Sequence, residues 1–167
     1  MQLQSYSDVL NDFVTIVYNE LNLQSKKPNI IFEKSGRLNV THNFNKNYIK
    51  FCGAWDVNDF FKFKDIRSQT VRICNPFIAI CHELLHRKQH EEGVLEDIQN
   101  NEGKTIGKKF NNIIYSAEDI HEMLCNNSYP PWEYPVIEQE YDLFLKCAKA
   151  AQKSNIDLRA YFPKGIL

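Results

Sequence analysis

The sequence predicts an α+β fold, in which helices flank a run of consecutive short strands instead of alternating with them. Apolar residues recur at helical spacing from Ser7 to about Leu21, and a second helix is indicated from Asn75 to Gly93. Between them, β-branched and aromatic residues dominate several short segments. We therefore expect an N-terminal helix, a small antiparallel sheet of three or four strands, and two further helices packed beneath it. The length of 167 residues suits one domain, spanning 1–167.

The strands are predicted from apolar or alternating segments that turn residues separate. Four segments have this character: 28–34, 38–42, 48–52 and 71–74. The last of them, Val71–Cys74, ends immediately before the second helix. Residues 54–69 fit a short helix followed by a loop.

The C-terminal half is predicted to be mainly helical. Residues 100–109 are polar, contain two glycines and are expected to form a surface loop. Ser116 can cap a short helix with acidic residues in its first turn. Pro135 can open a last long helix that runs to about Lys153, after a loop at 126–131.

Composition excludes several classes of partner. The formal net charge of −1 gives no electrostatic reason to expect nucleic acid or an anionic membrane surface. The five cysteines are odd in number and scattered, without a C-x-x-C pair, so neither a disulfide framework nor a cysteine zinc site is indicated. The N-terminal residues lack the pattern of a signal peptide, and no apolar run approaches the length of a membrane span. A cytoplasmic location is expected.

His82, Glu83 and His86 form an H-E-x-x-H motif within the predicted helix 75–93. Positions i and i+4 of a helix point nearly the same way, so the two imidazoles can close on one zinc ion. Glu83 lies beside that ion without being needed as a ligand. The motif therefore predicts a single zinc ion per chain, held by His82 and His86.

A catalytic zinc ion takes a third protein ligand and keeps the fourth position for water. Glu138 and Asp142 are one turn apart in the last helix, so Glu138 can bind zinc while Asp142 accepts a hydrogen bond from the free ring nitrogen of a ligand histidine. The competing interpretation is a solvated acidic helix start. His90 lies roughly 12 Å of helical rise from His82 and cannot join the same ion.

A second metal is conceivable at His121 and Cys125, which repeat the i, i+4 spacing. Two further ligands would be needed there, and none stands out in the sequence.

H-E-x-x-H followed by E-x-x-x-D resembles the gluzincin group of zinc metallopeptidases. HELLHRKQHEEG and PPWEYPVIEQEYD are similar, in particular, to small single-domain zincins of phages and bacteria. The resemblance covers about residues 71–145. It implies a zincin-like minimal fold, and a location in the host cytoplasm or the virion for a phage-encoded protein.

The same resemblance implies roles for individual residues. His82 and His86 would bind zinc, and Glu83 would act as general base in hydrolysis of peptide bonds within a protein or peptide substrate. Glu138 would be the third ligand, and Glu133 is the alternative because Pro131-Trp132-Glu133 is similar to the family's Pro-x-Glu element. The strand Val71, Arg72, Ile73 and Cys74 would bind extended substrate. Three residues are candidates to stabilise the oxyanion: His121, Tyr129 and Tyr134.

Two other interpretations remain open. A non-catalytic zinc-binding regulatory or virion-associated interaction module would keep the metal without turnover, but such a site has no need of Glu83. A protease of protein–DNA crosslinks would want a basic DNA-binding segment, which the near-neutral charge disfavours.

Overall fold

The computed structural model describes residues 6–37, 39–53, 55, 61–162 and 164–165. In these ranges the chain forms four α-helices and one short 3-10 helix: α1 Tyr6–Glu20, α2 Pro76–Glu91, α3 Ala117–Cys125, α4 Glu133–Lys153, and Leu158–Tyr161. None of these described helices has both the length and the apolar character that a bilayer crossing requires.

The described residues also form eight short strands in three sheets. The strands are β1 Asn29–Glu33, β2 Asn39–Asn43, β3 Tyr48–Cys52, β4 Phe61–Lys64, β5 Val71–Cys74, β6 Leu95–Gln99, β7 Thr105–Phe110 and β8 Ile113–Ser116. Their orders are β1-β3-β2, β4-β5 and β6-β7-β8. β1 is parallel to β3, and the other pairs are antiparallel. β2 is therefore an end strand of the first sheet.

The α+β class predicted from the sequence is confirmed, but the strands are arranged differently. Three small sheets replace the single antiparallel sheet, and the first of them is mixed. Within the predicted helix and loop of 54–69, residues 61–64 form β4, while 56–60 lie outside the described residues, as does Leu38 of the predicted second strand.

The loop predicted at 100–109 is also corrected, since β7 begins at Thr105. A β-carbon at Gly107 would lie 2.5 Å from the carbonyl oxygen of Tyr115. The glycine that suggested a loop thus permits close pairing with β8. β7 is held by neighbours on both edges, which a local pattern does not reveal.

The main core lies where α1, α2 and α4 meet the first sheet. The ring of Phe13 packs edge-on against Phe77, with 5.1 Å between ring centroids, and also contacts Phe144. All three side chains are fully buried, and burial of each contributes roughly 2–3 kcal/mol. This packing holds α2 and α4 side by side.

A smaller cluster consists of Leu95, Phe110 and Trp132, with Tyr115 and Ile120 packed against it. Trp132 is 4% exposed and directly precedes α4. Its burial therefore helps to fix where α4 begins.

Candidate metal centre

α2 is the helix that presents the two histidines. The side chain of Asn75 accepts a hydrogen bond from the backbone N–H of Phe77 at 2.9 Å and caps the helix. Gly93, with φ of +69°, follows its last turn in the left-handed region. Both features agree with the ends predicted from the sequence, and they place His82 and His86 one turn apart.

Glu133, the first residue of α4, joins the two histidines. The Nε2 atoms of His82 and His86 are 3.2 Å apart, and Oε2 of Glu133 lies 3.3 Å from the first and 3.2 Å from the second. Two ligands that each lie about 2.0–2.1 Å from a tetrahedral zinc ion are about 3.3 Å apart. The three atoms therefore have the mutual spacing of one face of a zinc coordination tetrahedron, and they are the group in the described residues that could hold a metal ion.

Both histidines are oriented by hydrogen bonds to their other ring nitrogen. Nδ1 of His82 lies 2.7 Å from Oε2 of Glu140, and Nδ1 of His86 lies 2.9 Å from Oε1 of Gln89. With Nδ1 as donor, each Nε2 is left with its lone pair toward the site. The Gln89 amide also donates to the carbonyl oxygen of Trp132 at 2.9 Å. One side chain thus connects the His86 ring to the backbone next to Glu133.

The electrostatics of the three groups suit a cation. Burial disfavours the charged form of His82, but hydrogen bonds to Glu133 and Glu140 outweigh it and raise the pKa to about 9. Burial also opposes ionisation of Glu133, but hydrogen bonds from His82 and His86 hold its pKa well below the usual range. Burial raises the pKa of Glu83, against the lowering effect of the two histidines. The site therefore stabilises positive charge beside a carboxyl group with increased proton affinity.

His82 lies at the junction of two cavities of about 510 and 480 Å³, and His86 and Glu133 line the second. Four residues line both cavities: Val40, His82, Glu83 and Tyr129. A chain that ran through both cavities would pass Glu83 at its middle. The arrangement can accommodate an extended ligand on both sides of the candidate metal centre.

Glu138 and Asp142 are exposed, and the group that could hold a metal ion contains neither of them, but contains the alternative, Glu133. The reason is helical phase. At about 100° per residue, Glu138 is rotated about 140° from Glu133, and Asp142 about 180°. Glu140, seven residues after Glu133, returns to within about 20° and is 4% exposed. A local signal for Glu140 exists in the sequence, because this residue interrupts the apolar stripe of α4.

β5, expected to bind substrate through Val71–Cys74, pairs with β4 on one edge, and its other edge has no strand partner among the described residues. Val71 is 63% exposed. The guanidinium of Arg72 is bonded to the carboxylates of Glu140 and Asp65. Arg72, Ile73 and Cys74 do line the first cavity.

The strand that lines both cavities is β2, which the sequence did not single out. Val40 borders both cavities, and Thr41 and His42 border the second. His42 is fixed against α2, with Nδ1 3.3 Å from the carbonyl oxygen of Glu83 and Nε2 accepting from Arg87 at 3.0 Å. Because this contact joins residues 41 positions apart, no local pattern reveals it.

The remaining candidate residues are dispersed around the cleft. Sγ of Cys125 is 3.5 Å from Nε2 of His121, but both side chains are exposed, and the described residues bring no third ligand to them. His90 lines the second cavity outside the ligand group, with its ring 4.3 Å from that of Phe44. Of the oxyanion candidates, Tyr129 lines both cavities.

Comparisons of the chain with protein-family models, curated proteins and solved structures found no match. The function is therefore inferred from the arrangement of the site residues.

Proposed function

We propose that the protein is a zinc-dependent metalloendopeptidase of gluzincin type, with one zinc ion held by His82, His86 and Glu133. The observation that carries the proposal is the triangle of Nε2, Nε2 and Oε2 atoms with sides of 3.2–3.3 Å, in which His82 lines both cavities and the other two residues line the second. Three protein ligands leave the fourth tetrahedral position for water, as a catalytic zinc site requires.

A zinc ion at this site would polarise the scissile carbonyl and lower the pKa of a bound water molecule. Glu83 lines both cavities beside His82, where its carboxylate can accept the proton of the attacking water and deliver it to the leaving amine. The carboxylate of Glu140 and the amide of Gln89 hold the two imidazoles in the tautomer that leaves Nε2 free. In this proposal Glu83 transfers the proton, and Glu140 and Gln89 orient the two imidazoles.

The substrate in this proposal is an extended polypeptide that lies along β2, which borders both cavities, whereas β5 borders only the first. β2 is an end strand of its sheet, and its residues border both cavities. An end strand can add an extended peptide through backbone hydrogen bonds. Because room exists on both sides of Glu83, we infer that cleavage occurs within a chain.

The test is the Glu83→Gln variant, with peptidase rate and zinc content measured on the same preparation. Glutamine keeps the size of the side chain but cannot accept the water proton, so hydrolysis should be lost while zinc binding is nearly unchanged. Glu138→Gln is the matched control, because Glu138 is exposed on the far face of α4, and it should retain both properties.

Two results would contradict the proposal. Equal hydrolysis by the wild type and Glu83→Gln, on a substrate that the wild type cleaves, would exclude Glu83 as the base. Stoichiometric zinc in a wild type that cleaves no unfolded protein would favour the non-catalytic zinc module instead.

A further inference from the structure

The carboxylate that orients His82 is itself held by an arginine on another element. Nε of Arg72 donates to Oε1 of Glu140 at 3.0 Å, and Nη2 donates to Oε2 at 3.0 Å. This two-pronged geometry fixes the plane of a carboxylate as well as its position. The oxygen that accepts from Nη2 is the one that lies 2.7 Å from Nδ1 of His82.

The third nitrogen of the same guanidinium is also engaged. Nη1 of Arg72 donates to Oδ2 of Asp65 at 3.2 Å and to the hydroxyl of Tyr129 at 3.2 Å. That hydroxyl donates to Asp65 at 3.0 Å, and the other oxygen of Asp65 accepts from the backbone N–H of Arg67 at 2.9 Å. Arg72 is therefore held on both sides and has little freedom to release Glu140.

We propose that Arg72 is a positioning residue of the metal centre, which acts through Glu140 to fix the His82 ring and which ties that ligand to the β4–β5 hairpin. The inference rests on the proposed metal site. It replaces the role of substrate binding that the sequence suggested for Arg72.

The physical argument concerns the orientation of Glu140. A buried carboxylate with a single partner can rotate about its terminal bond, and the ring that it holds would follow. The guanidinium fork removes that freedom and compensates the negative charge of Glu140, which is 4% exposed. A lysine at position 72 would keep the charge but supply one ammonium group in place of a planar fork.

The hairpin offers a matched control. Arg67 lies over the same Tyr129 ring, 5.3 Å from its centroid, compared with 5.9 Å for Arg72. The Arg67 side chain has no hydrogen bond to Glu140 among the described residues. Arg67→Gln therefore removes a cation from the same hairpin and leaves the support of His82 in place.

The experiment measures cobalt(II) and zinc affinity, together with the visible spectrum of the cobalt-substituted protein, for full-length variants. Loss of a group that orients a metal ligand typically weakens metal binding by about 10- to 100-fold. We expect a loss in this range for Arg72→Gln, a smaller loss for Arg72→Lys, and wild-type affinity for Arg67→Gln. At saturating cobalt, the absorption bands should shift in Arg72→Gln and not in Arg67→Gln. If Arg72→Gln does not fold, Arg72→Lys tests the proposal through the same two measurements, the metal affinity and the cobalt spectrum.

A double-mutant cycle separates positioning from a general effect on stability. If Arg72 acts through Glu140, then Arg72→Gln should cause little further loss of affinity in a Glu140→Gln background. Additive losses in the cycle, or unchanged affinity and spectrum in both Arg72 variants, would overturn the proposal while leaving the metal site intact. A wild type that binds neither metal would instead refute the proposed function.

Discussion

Replacement of Glu133 by glutamine removes the proposed metal ligand on α4. Structural zinc sites with four protein ligands are worth roughly 10–16 kcal/mol, or about 2.5–4 kcal/mol for each ligand. Loss of one ligand from the set of His82, His86 and Glu133 should therefore weaken zinc binding by at least about 100-fold. Glu138→Gln should change the affinity less than about twofold, because Glu138 is exposed outside the ligand group.

The affinities can be measured by competition with a chelator of known zinc affinity near neutral pH. Thermal unfolding gives an independent readout, since a metal that binds the native state stabilises it by mass action. A 100-fold loss of affinity removes about 2.7 kcal/mol of that stabilisation in excess zinc, or roughly 5–10 °C for a chain of this size. Retention of tight zinc binding by Glu133→Gln, with its loss in Glu138→Gln, would refute the assignment of the third ligand.

Three further predictions concern groups around the site. Gln89→Leu should weaken zinc binding about 10- to 100-fold in a zinc titration, because Nδ1 of His86 loses its acceptor. Asn75→Ala should lower the free energy of unfolding in urea by about 1–2 kcal/mol, because α2 loses its cap. Burial lowers the pKa of His42 to about 4, whereas the unfolded chain has an ordinary value near 6.5. As the pH falls from 6.5 to 4, the unfolded state takes up this proton first, so metal-free wild type should lose up to about 3 kcal/mol of stability relative to His42→Gln.

α2 could be predicted from the sequence because its signals are local. Asn75, the proline after it and Gly93 each act within one turn of the helix, and the structure places the helix ends beside them. The spacing of His82 and His86 then predicts two of the three proposed ligands without any knowledge of tertiary structure. Local signals were insufficient for β7, whose hydrogen bonds come from β6 and β8.

The proposed third ligand must lie on the face of α4 that is turned toward His82 and His86. Which acidic residues are available on that face depends on where the helix begins. Pro135 suggested a start two residues late, which left Glu133 before the helix, as the alternative ligand, and made Glu138 the first acidic residue of the helix. The actual start follows Trp132, whose burial against Leu95 and Phe110 is a tertiary contact.

A charged residue within an apolar pattern is a signal that does not depend on knowing where the helix begins. An acidic residue within an apolar helical stripe must have a partner, because an uncompensated buried carboxylate is costly. Glu140 meets that description, and its partner Arg72 stands 68 residues away on a short strand directly before α2. The sequence alone can identify Glu140 as a buried carboxylate that requires a positively charged or hydrogen-bonding partner. The fold is needed to show that Arg72 and His82 are those partners. The pairing matters for the proposed metal centre because the same carboxylate contacts both His82 and Arg72, so a change on β5 is expected to reach a proposed ligand on α2.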